Sequence, residues 1–235
     1  MNDRVKDAAA LYWAVRTHQQ SKQSEAGKSD AGLRGAVTGG AQMNGFVDLV
    51  REVIIGCGIP SKCIFEKTHV ELPGYYRPEK KWDLLVVHKG VLGAAIELKS
   101  QCGPSFGNNF NNRVEEAIGS ATDLWTAYRE GRLGCAIKPW LGYLFLLEDC
   151  PESSTPVSVR EPHFKVDEVF RGASYKRRYA VFCRRLVLER LYDASCFLTA
   201  GFSNDTVTVS APDPALSYEL FIASLRGQMA ALLAL

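Results

Sequence analysis

The sequence predicts an α/β fold, a mixed central sheet with helices on both faces, and three observations predict it. Residues 82–88 and 91–99 read as two strands joined by a tight turn at Lys89-Gly90. Residues 113–129 place Val114, Ala117, Ile118, Ala121, Leu124, Trp125 and Tyr128 three and four positions apart, an amphipathic helix. Residues 140–147 are an unbroken apolar run between Pro139 and Glu148-Asp149, the pattern of a central strand covered on both faces. Hairpin, helix and strand in that order put a crossover helix over the sheet.

The chain has 235 residues, 46% hydrophobic and 23% charged. That suits one domain, residues 1–235, with a core of its own. A net charge of +2 sets up no global basic field, so any surface for nucleic acid has to be a local patch balanced by acids elsewhere. Seven cysteines (57, 63, 102, 135, 150, 183, 196) form no CxxC pair, which argues against structural zinc and for reduced thiols in a cytoplasmic protein. No signal pattern opens the chain, and the final MAALLAL is too short to span a bilayer.

In chain order, residues 3–20 read as a helix with Val5, Ala8, Ala9, Tyr12 and Val15 on one face, capped by Asn2 or Asp3. Residues 21–41, rich in Gly, Ser and Lys, read as a flexible loop. Its Gly27-Lys28-Ser29 is no nucleotide site, because position 22 is Lys and no strand precedes it. Lys22, Lys28 and Arg34 either order on DNA or stay solvated. Residues 44–55 return to helical spacing and stop at Gly56 and Gly58. Residues 62–72 read as a strand, with a turn at Pro73-Gly74, and residues 100–112 as a loop. A further loop covers 150–162. The basic helix within 171–191 buries Tyr179, Phe182, Leu186, Val187 and Leu191. Strands follow at 197–200 and 206–210. The final helix, 215–235, is core or subunit interface.

Three ionisable side chains interrupt the apolar hairpin. Alternation puts Glu97 and Lys99 on one face of the second strand, with Ile96 and Leu98 on the other. Asp83, at the start of the first strand, falls opposite the end of its partner. Two carboxylates held close repel, and a hard divalent cation relieves the conflict. The lysine then orients or deprotonates a metal-activated water, which suits phosphodiester hydrolysis. A surface ion-pair cluster is the competing account of the same three residues.

Asp83, thirteen intervening residues, then Glu97-Leu98-Lys99 resembles the PD-(D/E)xK nuclease signature, with Trp82 in the proline position. The flanking GYYRPEKKWD and ELKSQCGPSFGNNFNNRVEEAIGSATD resemble the XhoI family of type II restriction endonucleases, over most of the chain. The resemblance implies a restriction-endonuclease-like sheet. It further implies Mg²⁺-dependent cleavage of double-stranded DNA at CTCGAG after the first C, a homodimer on the palindrome, and a companion DNA methyltransferase. Asp83 and Glu97, with the Leu98 carbonyl, would hold Mg²⁺, and Lys99 would serve the attacking water. Glu52 on a helix and Glu66 on a strand are candidates for an auxiliary acid, and Glu52 equally suits a solvated helix face.

Candidate DNA contacts flank the motif. Before it, Arg77, Lys80 and Lys81 lie among tyrosines, a mixture that suits a phosphate backbone or simply a charged loop. After it come Gln101, Asn108, Asn109, Asn111, Asn112 and Arg113, side chains able to bond base edges bidentately, though Asn is also a turn and cap residue. Lys176, Arg177 and Arg178 belong to the densest basic segment. Two rival functions remain open on the sequence: a structure-specific repair or junction nuclease of this fold, and a DNA-binding protein without catalysis.

Overall fold

A computed structural model describes residues 2–25, 41–134, 137–203 and 206–235. Its helices are α1 (Asp3–Glu25), α2 (Asn44–Gly56), α3 (Phe106–Arg129), the single turn α4 (Pro151–Ser154), α5 (Tyr175–Leu188) and α6 (Tyr218–Leu233). Its strands are β1 (Ile64–Phe65), β2 (Glu71–Pro73), β3 (Glu79–Lys81), β4 (Leu84–His88), β5 (Val91–Gln101), β6 (Trp140–Glu148), β7 (Ala194–Ser203) and β8 (Thr206–Ser210). Six strands form one sheet in the order β1-β4-β5-β6-β7-β8, and β2 pairs β3 in a separate ribbon.

The sheet is mixed, as its sequence predicts. β5, β6 and β7 run parallel, joined by crossovers that carry α3 and then α5, while the flanking pairs are antiparallel. Lys89 (φ 50°) and Gly90 (φ 76°) are both left-handed, the geometry a two-residue hairpin needs to match strand twist. Each face buries its own cluster. Ile96, Leu98, Leu144 and Leu198 meet Tyr12 of α1, Phe46 of α2 and Phe221 of α6. Leu85, Ala95, Tyr143 and Phe145 meet Ala121 of α3 and Tyr179 of α5. The parity read from the sequence thus holds: Ile96 and Leu98 face one core, leaving Glu97 and Lys99 on the face covered by α3 and α5.

Several boundaries differ from the sequence reading, each for a physical reason. The strand expected over 62–72 is broken, because Lys67 (φ 65°) and His69 (φ 56°) take left-handed backbone that no strand tolerates. Its second half becomes β2 of the ribbon. Helix α3 begins at Phe106, so the asparagines read as loop lie in its first two turns. Asn is a poor helix former, but Phe106 stacks on Tyr175 (5.7 Å between centroids) and Phe110 meets Tyr179 edge-on (5.0 Å), so burial overrides propensity. Glu115 and Glu116 consequently lie beyond the first turn, where they do not serve the helix dipole. Ile118, expected on the buried face of α3, is 41% exposed. Helix α1 continues past Gln20 to Glu25, and residues 26–40 of the expected 21–41 loop, including Lys28 and Arg34, lie outside the described residues. The 150–162 loop contains a helical turn, and β7 is ten residues long rather than four. Helix α6 starts at Tyr218, where the Ser217 hydroxyl accepts from the Leu220 amide (3.4 Å), and buries Phe221, Leu225, Met229 and Leu232 in the core.

Six cysteines are described and all are free. Burial pushes the Cys102 and Cys183 thiols up to about 12, so neither is a nucleophile near neutrality. Among the described residues no helix is long and apolar enough to cross a membrane.

Gly142 marks a close approach in β6. A Cβ there would lie 3.0 Å from Phe221 Cζ and closer still to the Trp140 ring. Gly142→Ala is expected to destabilise the fold by about 1–3 kcal/mol through overpacking, read as a lower urea midpoint at unchanged slope.

Candidate active site

The register of the hairpin builds the site. Leu84 pairs with Ile96 across the antiparallel β4–β5 ladder, so one step outward sets Asp83 across from Glu97. Asp83 Oδ2 accepts from the Leu98 amide (2.8 Å) and from Lys99 Nζ (3.0 Å). Lys99 Nζ is also 3.7 Å from Glu97 Oε1. A second ammonium enters from the ribbon: Lys80 Nζ donates to Glu97 Oε1 at 2.5 Å and lies 4.1 Å from the centre of the Trp82 ring. The other Glu97 oxygen accepts from the Tyr192 hydroxyl (3.2 Å), which also contacts the Ala117 carbonyl of α3 (3.1 Å).

Burial divides the two acids. The Glu97 side chain is 3% exposed, Asp83 35%. Burial works against the Lys99 ammonium, but the Glu97 and Asp83 carboxylates outweigh it and hold the lysine above its ordinary range. Lys99 is therefore a donor here. Burial, reinforced by Glu97, pushes the Tyr192 phenol well above its usual value, so it too remains a donor.

Two clefts open onto this cluster. The larger, about 770 Å³, is lined by Asp83 and Lys99, by Asn44 of α2, by Glu66 and Lys67, and by Asn109, Asn112 and Arg113 of α3. The second, about 510 Å³, lies between the ribbon and α3 and reaches Lys80, Glu97 and Lys99 from the other side. Acids and cations converging between two clefts can bind and polarise a phosphodiester lying across them.

The family described as "Restriction endonuclease XhoI" matches residues 22–210. The chain belongs to the XhoI restriction endonuclease family. It is 54% identical over 179 residues to the type II restriction enzyme BstVI of Geobacillus stearothermophilus, covering 74% of this chain and 80% of that protein. It is 48% identical over 182 residues to the type II restriction enzyme XhoI of Xanthomonas vasicola, covering 77% and 73%. With the type II restriction enzyme AbrI of Azospirillum brasilense it shares 47% over 170 residues, 72% and 76% of the two chains. No solved structure matches the chain. This family member is a site-specific deoxyribonuclease.

In this restriction endonuclease the structure brings some expected residues to the clefts and withholds others. Asp83, Glu97 and Lys99 are together. Glu66 lines the larger cleft, 3.8 Å from Arg51. Glu52 instead pairs with Arg4 of α1 and lines neither cleft. Asn109, Asn112 and Arg113 face the larger cleft, while Asn108 and Asn111 point to solvent elsewhere on α3. Arg113 is held by Glu116 (2.6 Å). Had the helix been started at Phe106, the spacing 109, 112, 113, 116 would have shown this face.

Gln101 is corrected. It is 4% exposed and accepts from the Tyr179 hydroxyl beneath α5, so it cannot reach a base edge. Arg77 donates to Asp123 (2.6 Å), clamping the ribbon onto α3. Lys80 proves to be a partner of Glu97, while Lys81 lines both clefts. The basic segment around α5 is largely neutralised at home. Lys176 pairs with Asp149 (2.6 Å), and Arg178 bonds the Ala173 and Val157 carbonyls. Arg171, Arg184 and Arg185 meet Glu161, Asp213 and Asp167. Arg177 remains exposed. Tyr192 carried no sequence signal, since it meets Glu97 across 95 positions.

Proposed function

We propose that this endonuclease hydrolyses double-stranded DNA at CTCGAG, after the first C, in a Mg²⁺-dependent reaction that destroys foreign DNA. The observation that carries the chemistry is the Lys99 ammonium between Asp83 and Glu97, at 3.0 and 3.7 Å, where two clefts meet. The target sequence rests on the resemblance to the XhoI family and on identities of 47–54% to type II restriction enzymes.

The donors fit a hard cation. Among the described residues no cluster of three or more acidic, His or Cys side chains could form a closed cage. Two carboxylates whose oxygens face one ammonium suit an ion that keeps waters and takes phosphate oxygens. Asp83, Glu97 and the Leu98 carbonyl would hold Mg²⁺, with Glu66 in the same cleft as the auxiliary acid. When bound, the ion supplies charge stabilisation at the phosphate and a more acidic water. Lys99 donates toward the phosphate as its negative charge grows. Tyr192 and Lys80 keep Glu97 oriented. Asn109, Asn112 and Arg113 contact the DNA in the cleft, and Lys81 the backbone.

CTCGAG is palindromic, so a two-fold homodimer would present one site to each strand. A methyltransferase marking the same sequence would protect the host. The test is digestion of a plasmid carrying one CTCGAG, beside a plasmid lacking it, with Mg²⁺ and with EDTA. Linear product is expected only with site and Mg²⁺ together. Equal nicking of both plasmids would overturn the sequence assignment, and cutting in EDTA would overturn the metal.

A further inference from the structure

Glu97 is the enclosed acid of the site, and Lys80 is what encloses it. The Lys80 side chain is 12% exposed; its ammonium has Glu97 Oε1 at 2.5 Å, the Lys81 carbonyl at 3.1 Å and the Trp82 ring at 4.1 Å. Lys80 lies outside the Asp-Glu-Lys motif and arrives on β3, a strand that is not part of the main sheet. With it, the cluster holds two carboxylates, Asp83 and Glu97, and two ammoniums, Lys80 and Lys99, so its formal charge is zero.

A neutral cluster attracts a divalent cation weakly. A cation approaching Glu97 meets an ammonium already on the oxygen it needs, and like charges at such range repel strongly in a partly buried site. A DNA phosphate entering the cleft adds the missing negative charge. We propose that Lys80 is the resident counter-ion of Glu97, a positioning residue that keeps divalent-cation affinity low until DNA is bound. The protein without DNA would then be restrained from holding a loaded, hydrolytic site. The inference rests on the metal-dependent reading given above.

The experiment is calorimetric titration of Mg²⁺ into the DNA-free enzyme and into the enzyme with a duplex blocked at the cleavage position. Lys80→Met keeps the stem over Trp82 and removes the charge. It is expected to bind Mg²⁺ at least tenfold tighter than wild type without DNA, and to lose most of the gain that DNA confers. Adding Glu97→Gln should cancel that tightening. Lys80→Arg keeps the charge and should titrate like wild type, and Tyr192→Phe, which removes only a neutral donor, should not tighten binding. Equal or weaker Mg²⁺ binding by Lys80→Met, with an unchanged near-ultraviolet spectrum, would overturn this role alone. If Lys80→Met misfolds, Lys80→Gln is titrated in its place under the same criterion. Failure of wild type to bind Mg²⁺ even with DNA would instead remove the metal reading, and this inference with it.

Discussion

Lys99→Ala is expected to lower the single-turnover cleavage rate by about 10²–10³-fold, the range seen when one preorganised donor is removed from a reacting centre. Its DNA affinity, read by gel shift without divalent metal, should stay within a few fold. The argument is positional. Among the described residues Lys99 is the one cation within 4 Å of both carboxylates, and those carboxylates hold it protonated. Deleting it leaves Asp83 and Glu97 facing each other with less compensation, yet Lys80 still neutralises Glu97 and Asp83 is 35% exposed. The fold should therefore survive, and the loss should fall on the chemical step. Lys99→Arg keeps the charge but carries a wider, forked donor group, and it should recover little activity. Undiminished cleavage by Lys99→Ala would reduce the three-residue cluster to a structural ion pair and move the catalytic centre elsewhere on the molecule.

The second large effect is on stability. Asp123→Ala is expected to cost about 2–3 kcal/mol, a fall of roughly 5–10 °C in melting temperature for a chain of this size. The Asp123 side chain is 4% exposed and accepts from the Tyr75 amide (2.8 Å), the Tyr76 amide (2.9 Å) and Arg77 Nε (2.6 Å). Its loss strands all three donors, though water reaches some of them, since the Arg77 side chain is 42% exposed, so the full penalty for a buried charge does not apply. Gly74 adds to the constraint: a Cβ there would lie 2.5 Å from the Arg77 carbonyl and 2.8 Å from Asp123 Oδ2. The ribbon so pinned carries Lys80 and Lys81 to the site, so cleavage should fall as well. Asp123→Asn keeps an acceptor and should lose less.

The same residue gives a pH signature. Burial opposes ionisation of Asp123, but the bonds from Arg77 and from the Tyr76 and Tyr75 amides outweigh it and hold the carboxyl below its ordinary 3.8. A carboxyl lowered by folding contributes stability above its unfolded value and loses it as pH falls through the folded one. The gap in stability between wild type and Asp123→Asn should thus be constant near neutrality and shrink below about pH 4. A gap that widens on acidification would show that Asp123 is not held ionised.

The Asp83, Glu97 and Lys99 cluster was legible because most of it depends on local rules. Alternation put Glu97 and Lys99 on one face and Lys89-Gly90 dictated a two-residue turn; a bulge that leaves Gly93 unpaired then shifts the register by one residue and brings Asp83 across from Glu97. The apolar run at 140–147 announced a central strand for the same reason: a strand buried on both faces has no polar side to show. The readings that failed were those in which a local preference met a distant partner. Asn-rich residues 108–112 look like a loop until Phe106 and Phe110 find Tyr175 and Tyr179. Gln101 looks like a DNA contact until Tyr179 covers it, and Arg77 and Lys176 acquire the distant partners Asp123 and Asp149.

By itself, then, the sequence determined the fold class, the hairpin, its acids and its lysine, because side-chain periodicity and turn chemistry act over a few neighbouring residues, while the residues flanking the motif carried the resemblance to the family. Only the tertiary structure decided which polar groups remain available. It assigned Lys80 and Tyr192 to Glu97, 17 and 95 positions away, and Asp123 to a ribbon 46–48 positions earlier. Such pairings arise when helices fold back over a sheet, and a charge on the chain carries no mark of the partner that will neutralise it.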